Sequence, residues 1–362
     1  MLNIKKQLYS ILGISGLNAF QIAGASWVAI LAARGFSLVE VGLAESCFHL
    51  ASLLFEIPSG VISDVFGRRK SMILSQCMLI VSALCMAFSQ TLIDVCLALI
   101  LDALGYNFAS GSREALTYDS LKSVDMENRY IEFSAFDLGL YRLGNASAIL
   151  CAGLALTIGH KTAYLIDAFL GIFCLILSFQ LKEVQLDTNQ FEGHIKDRIC
   201  TTCRESFLFI FHNRSTFKLM LWNALIGCSA TLMVFFLQAR LPLCGVTNSQ
   251  LGPMLFFISL GGVVGSRLVL KLSNLSYPIL SFICIGGVVF GTICGLGTLP
   301  LWMCIGGFLS NLCDDLLQLR TDAILNDRFH SSQRATLNSI VSQIFSILMI
   351  ILSPLAGWVF SI

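Results

Sequence analysis

Charge is scarce in this sequence. Asp, Glu, Lys and Arg make up 12% of its 362 residues, against roughly 25% in a soluble domain. Polar outer helix faces cannot be built from so few charges, which excludes a soluble helical protein. Proline is scarce too, with 6 residues, so proline-rich disorder and collagen-like chains fall away. Neither sign of charge dominates: 23 basic residues stand against 22 acidic. That leaves no basic field for phosphates, and no nucleic-acid partner is expected. A Walker loop, G-x-S-x-G and H-E-x-x-H are all absent, so the sequence argues against an ATP-driven pump or a familiar hydrolase, and no enzyme is expected. What remains is apolar: 56% hydrophobic residues, 27 Phe and a mean hydropathy of +0.79. This composition belongs to a polytopic membrane protein in contact with the lipid bilayer. At about 20 residues per span, the length holds roughly a dozen helices at most.

Eleven apolar runs meet that requirement. They cover residues 8–33, 39–62, 71–88, 93–120, 130–158 and 163–181, then 217–239, 251–272, 277–296, 301–326 and 336–361. The first lies behind Lys5 and Lys6 and is too long for the core of a signal peptide, so it is retained. Residues 182–214 are the longest polar stretch. The chain therefore divides into an N-terminal six-helix half (1–181), a cytosolic connector (182–214) and a C-terminal half with five helices (215–362). With the N-terminus cytosolic, 17 of the 23 Lys and Arg residues fall on the inner side and only Arg34, Lys161 and Arg240 fall outside. This is the asymmetry of a multi-pass protein of the cytoplasmic membrane.

Between the second and third spans the sequence reads Gly60-Val-Ile-Ser-Asp64-Val-Phe-Gly67-Arg68-Arg69-Lys70. This resembles the G-x-x-x-D-x-x-G-R-[RK]-x signature loop of the major facilitator superfamily at every defining position. On physical grounds Gly60 lets two helices approach closely, Gly67 permits a tight turn, and Asp64 is placed to cap a neighbouring helix N-terminus. A shift of 205 residues carries Gly60 to Gly265 and Arg129 to Arg334, as two parallel repeats would, although Val269 stands where Asp64 would fall. The resemblance implies an all-α fold of two helical halves with about eleven helices (6 + 5, helix 12 apparently missing). The signature loop would act as a conformational latch. Phe55–Gly60 and Ser110–Leu121 also look like an efflux-like bacterial branch, but the mid-membrane Arg of span 4 and the Gly-Pro step of the antiporter motif are absent. The expected function is secondary active transport of a small molecule by alternating access, with proton-coupled efflux of drug-like compounds as the first reading. Uptake of a small polar solute is the second, and a transport-inactive receptor or scaffold the third. Protons and a small-molecule substrate are the expected partners.

An ionisable residue inside a span costs at least about 2.5 kcal/mol and is retained for a reason. The resemblance makes spans 1, 2, 4, 5, 7, 8, 10 and 11 the cavity lining. On them lie the candidate substrate or proton ligands Asn18, Gln21, Glu45, Asp102, Asp137, Arg142, Asp314, Asp315 and Arg320, with Asn223, Asn338 and Gln343 nearby. Along a continuous helix Arg113 lies about 16 Å from Asp102. Asp102 is thus expected mid-membrane, paired with Arg142, with Arg113, Glu114, Asp119 and Glu56 as gate residues near the latch. Asp314 and Asp315 point about 100° apart, so only one should face the cavity. His49 reads as a hydrogen-bonded packing residue.

Of 14 cysteines, 11 lie in apolar spans, where thiols act as small hydrophobes. Cys200 and Cys203, near His194 and His212, form one C-x-x-C, short of the two ligand pairs of a structural zinc site. No metal or other cofactor is expected. Phe207, Phe209 and Phe211 suit an amphipathic segment on the membrane surface. Gly261-x-x-x-Gly265, Gly287-x-x-x-Gly291 and Gly291-x-x-x-Gly295 suit packing inside one chain, in a monomer.

Overall fold

The structure is a computed structural model that describes residues 3–184, 214–272, 275–328 and 334–361. Most of the connector, with Cys200, Cys203, His194, His212 and the Phe207–Phe211 segment, lies outside the described residues, as does the side chain of Asn338. Every regular element among the described residues is helical. In chain order they are α1 (Ile4–Ala19), α2 (Trp27–Ala33), α3 (Leu38–Phe66), α4 (Arg68–Phe88), α5 (Leu92–Ala109), α6 (Ser112–Lys122), α7 (Tyr130–Leu150) and α8 (Ala152–Ile158). They continue with α9 (His160–Gln180), α10 (Arg214–Leu243), α11 (Asn248–Lys271), α12 (Tyr277–Gly295), α13 (Pro300–Arg328) and α14 (Arg334–Ser361). Lipid offers backbone N–H and C=O groups no partner, so apolar runs of this length close their hydrogen bonds internally as helices. Polar side chains mark the starts. Asn3 accepts from the Lys6 amide at 3.1 Å, and Thr91 with Asp94 forms a capping box.

Among the described residues nine stretches are long and apolar enough to cross a membrane, counting Ile4–Ala33 and Leu92–Lys122 as one each. Glu127–Leu150 with Ala152–Ile158, bent by 49°, makes a tenth. The expected span over 301–326 is α13, whose 29 residues are interrupted by Asn311, Asp314, Asp315, Arg320 and Asp322 and fall outside that count. Three expected spans are not continuous. The first is broken between Ala19 and Trp27, the fourth at Ser110–Gly111, and the fifth at Cys151. Gly111 has φ +71°, a conformation that stops a right-handed helix and that glycine adopts without strain.

The chain forms two compact units. One comprises Met1–Ala25, Leu54–Ala148 and Ile158–Arg204. Its core gathers Ile11, Ile14, Met72, Leu116, Cys174 and Leu181. On α9 the large side chains Phe169, Phe173, Ile176 and Phe179 stay exposed, an apolar face suited to lipid tails.

The other unit comprises Ser26–Leu53, Ile149–Thr157 and Glu205–Ile362. One core cluster holds Leu219, Met220, Leu325, Ile340 and Ile344, and a second holds Ile226, Leu280, Val288, Leu316 and Leu317. Its helices meet on glycines. A Cβ on Gly261 or Gly265 would strike the carbonyl oxygens of Phe308 or Leu312, and one on Gly291 would strike the Gly306 carbonyl. The repeated glycines thus bring α11 and α12 onto the backbone of α13, within the chain.

Candidate functional site

The signature loop is built around a helix start. Gly67 is the N-cap of α4 with φ +102°, a backbone state open to glycine and strained for other residues. The Glu183 carboxylate lies across the exposed amides, accepting from Arg68 N at 2.9 Å and Arg69 N at 2.8 Å. Negative charge at a helix N-terminus satisfies orphan donors and complements the dipole. A Cβ on Gly67 would lie 2.7 Å from Glu183 Oε2, so this glycine is needed for space as well as for φ. The Arg68 guanidinium pairs with Asp119 of α6, and Arg69 Nη2 donates to the Phe179 carbonyl at 2.9 Å. Lys70 and Glu114 are exposed, and Glu56 is half-buried.

The carboxylate over the Arg68 and Arg69 amides is that of Glu183; Asp64 is exposed in the last turn of α3. Gly60 is exposed, and among the described residues a Cβ there would meet nothing within 4 Å, in place of the close helix approach expected of it. Contact with the neighbouring helices runs instead through serines: Ser63 Oγ and Ser112 Oγ are 2.7 Å apart, and Ser59 Oγ donates to the Asn107 carbonyl at 3.3 Å.

A polar cluster lies where α1, α5, α6 and α7 meet in the same unit. Arg113 faces Asp137 (Nη2–Oδ2 3.7 Å) and donates to Ser15 Oγ at 3.1 Å. Tyr106 is hydrogen-bonded to Tyr141 and lies within electrostatic reach of both Asp102 and Arg113. The chain breaks at Gly111, between Asp102 on α5 and Arg113 on α6. The cation facing the α7 carboxylate is therefore Arg113, whereas Arg142, the expected partner of Asp102, is exposed on α7.

Sequence reasoning passed over Asp167. This residue of α9 is only 4% exposed and accepts three backbone amides from the break in the first span. Ile22 N donates at 2.8 Å, and Ala23 N and Gly24 N at 3.0 Å. It lay on a helix the resemblance treats as peripheral. A lone carboxylate in an apolar run, with a Gly-Ala-Ser sequence elsewhere in the chain, was the available signal. Asn18 and Gln21 flank this break, both half-buried, and a Cβ on Gly24 would lie 2.8 Å from Gln21 Oε1.

In the second unit the two adjacent carboxylates of α13 do point apart, each into a glycine notch. Asp314 Oδ1 would be 3.3 Å from a Cβ on Gly227 of α10, and Asp315 Oδ2 2.6 Å from one on Gly262 of α11. Four residues before Gly227, Asn223 is 8% exposed, and its Oδ1 has no hydrogen-bond partner among the described residues. Arg320 is half-buried about one and a half turns further along α13. On α3, Glu45 and His49 form a buried pair with Oε1–Nε2 3.1 Å, and His49 Nδ1 lies 3.4 Å from Ser346 Oγ of α14. His49 is thus hydrogen-bonded on both nitrogens, its donors set by the tautomer. Among the described residues no group of three or more His, Cys, Asp and Glu side chains is placed to hold a metal ion.

Comparison with known proteins bears on the chemistry of this arrangement. The family model described as Major Facilitator Superfamily matches residues 8–292. An uncharacterised MFS-type transporter, YxaM of Bacillus subtilis, is 31% identical over 106 residues, 29% of this chain and 26% of that protein. A second, MJ1560 of Methanocaldococcus jannaschii, is 24% identical over 225 residues, 61% of this chain and 56% of that protein. The chain thus spans about a quarter and about half the length of these curated relatives. Among solved structures, a mutant of the nucleoside transporter NupG superposes with a TM-score of 0.77 at 14% identity, covering 96% of this chain and 90% of that one. A D-xylose–proton symporter superposes with a TM-score of 0.66 at 10% identity, covering 98% and 95%. At such identities these likenesses establish the fold alone.

Proposed function

Because the chain belongs to the Major Facilitator Superfamily, we propose that it is a secondary transporter that moves a small molecule across the cytoplasmic membrane by alternating access. In this reading residues 1–181 and 215–362 are the two halves of the transporter, joined by the 182–214 connector, with the N-terminus cytosolic and the Gly67 loop on the inner face. The latch is Gly67, Arg68 and Arg69 held by Glu183 and Asp119, with Gly60, Asp64 and Lys70 completing the motif and Glu56 and Glu114 beside it. Arg113 belongs with the solute groups, through Asp137. The proposed solute groups are Asn18, Gln21, Asp102, Asp137 and Arg142 in the first half and Asp314, Asp315 and Arg320 in the second.

The observation that carries this reading is the pair of carboxylates in glycine notches on α13, close to the unpartnered Asn223 oxygen. Gly227 and Gly262 lie where the carboxylates need room, in a segment where charge is expensive. A carboxylate-rich site suits an amphipathic cation, and export of such a compound against inward proton flow is the first choice. Uptake of a small polar solute is the second reading, favoured by the hydrogen-bonding set Asn18, Gln21, Asn223 and the Tyr106–Tyr141 pair. Nucleosides and D-xylose, handled by proteins of this fold, are natural probes. Flux into and out of proteoliposomes, with and without a proton gradient, tests it with lipophilic cations, nucleosides and pentoses. Asp314→Asn is expected to cut flux at least about tenfold, the effect of losing one charged contact of about 1.4 kcal/mol. Absence of flux for every probe would reject transport in favour of a receptor or scaffold.

A further inference from the structure

The Glu45–His49 pair stands apart from these solute groups. Its two members are one turn apart on α3, each only 8% exposed, and they contact α14 of the same unit. Around them the two helices touch closely. Ser46 Oγ donates to the Ile350 carbonyl at 2.8 Å. A Cβ on Gly42 would strike the Ser353 carbonyl oxygen, and one on Gly357 would strike that of Leu38. The rings of Phe48 and Phe345 flank the imidazole, with centroids 5.2 and 5.7 Å away.

We propose that Glu45 and His49 together bind one proton, and that this proton holds α3 against α14. With one proton the pair is neutral, as carboxylate and imidazolium or as their neutral tautomer. Without it, a net negative charge is left between two phenyl rings and two helix backbones. A buried, uncompensated charge costs several kcal/mol, and separating the helices lets water reach it.

The surroundings contain little else that titrates. α14 from Ser339 to Ser361 has no Asp, Glu, His, Lys, Arg, Cys or Tyr, and neither α2 nor α8 has an ionisable residue. On this stretch of α3 the others are Glu40, whose carboxylate accepts from Ser37, and Cys47. From α10, Cys228 donates to the Phe345 carbonyl at 3.6 Å. From α13, Asp314 Oδ1 and Phe345 Cε2 lie 3.3 and 3.5 Å from one point, the Cβ that Gly227 lacks. Phe345 is therefore next to the proton pair and also close to the proposed solute carboxylate. The meaning of the site as ion coupling rests on the transport reading; its effect on the helix contact does not.

The sign follows from the proton count. The touching state binds one proton more than the separated state, so contact weakens as pH rises, by at most about tenfold per pH unit. Hydrogen–deuterium exchange of the whole protein in lipid nanodiscs, from about pH 6 to about pH 8.5, reads this directly. After correction for intrinsic exchange, peptides covering 38–50 and 345–358 should lose protection as pH rises while peptides of α12 do not. Ser346→Ala, which keeps both titrating groups, should keep the slope. Glu45→Gln should stay protected at every pH. A wild-type profile flat to within about twofold over that range, or a wild-type slope in Glu45→Gln, overturns the proposal. The wild-type series decides even if a variant fails to fold. Because no flux is read, loss of the transport reading would leave this result standing.

Discussion

Replacing Asp167 by alanine should be the most damaging single change outside the proposed solute site. Its carboxylate accepts three consecutive amides where the first span is broken. Ile22 is 6% exposed and Ala23 is 0% exposed, so water cannot replace the lost acceptor there, whereas Gly24 is exposed and can be hydrated. Two dry donors at about 1–3 kcal/mol each give a cost near 4 kcal/mol. Some of this is offset because the buried carboxylate no longer has to be desolvated. Asp167→Asn retains one acceptor oxygen but points an N–H pair at the backbone, and should cost about half as much. Equilibrium unfolding in mixed micelles of mild detergent and SDS measures both. A cost below about 1 kcal/mol for the alanine variant would show that the break between Ala19 and Trp27 is held by other contacts, and the reasoning would fail.

Two further outcomes concern the signature loop. Gly67→Ala should destabilise by about 2–4 kcal/mol, from the strained φ and the contact with Glu183. In a Glu183→Ala background it should cost less, because the clash is gone and only the φ strain stays; equal costs in both backgrounds would contradict this geometry. Arg68 and Asp119 are 28% and 16% exposed at the side chain, so their ion pair is partly screened. A double-alanine cycle should return a coupling of about 1 kcal/mol in the same unfolding assay, and a value near zero would remove the pair from the latch.

The residues differ in how far they could be read without coordinates. Gly67 was legible because a glycine between a helix end and three cations has few other uses, and its φ of +102° agrees. Gly60 carried the same family signature, but among the described residues nothing lies within 4 Å of the Cβ it lacks, since a motif records residue type and not what the neighbouring helix places opposite. The divergence of Asp314 and Asp315 followed from helical geometry alone; that each points at a glycine, Gly227 or Gly262, required α10 and α11 to be in position. The fourth span was read as one helix, whereas the chain breaks at Ser110–Gly111. Local spacing is a safe ruler only while the hydrogen-bond ladder continues.

The sequence by itself determined the class of molecule, the positions of the helices and the family, because these depend on local quantities. Apolar runs of span length must become helices in lipid, and a signature loop lies within eleven consecutive residues. Tertiary structure alone decided the partnerships. Glu183 caps a helix that starts 115 residues earlier, Asp167 is set against amides 143 to 145 residues away, and His49 lies beside a serine 297 residues further on. Such pairings leave no periodic trace in the chain. A carboxylate in a span announces only that burying it must be compensated, and the compensating group can come from any helix that packs against it.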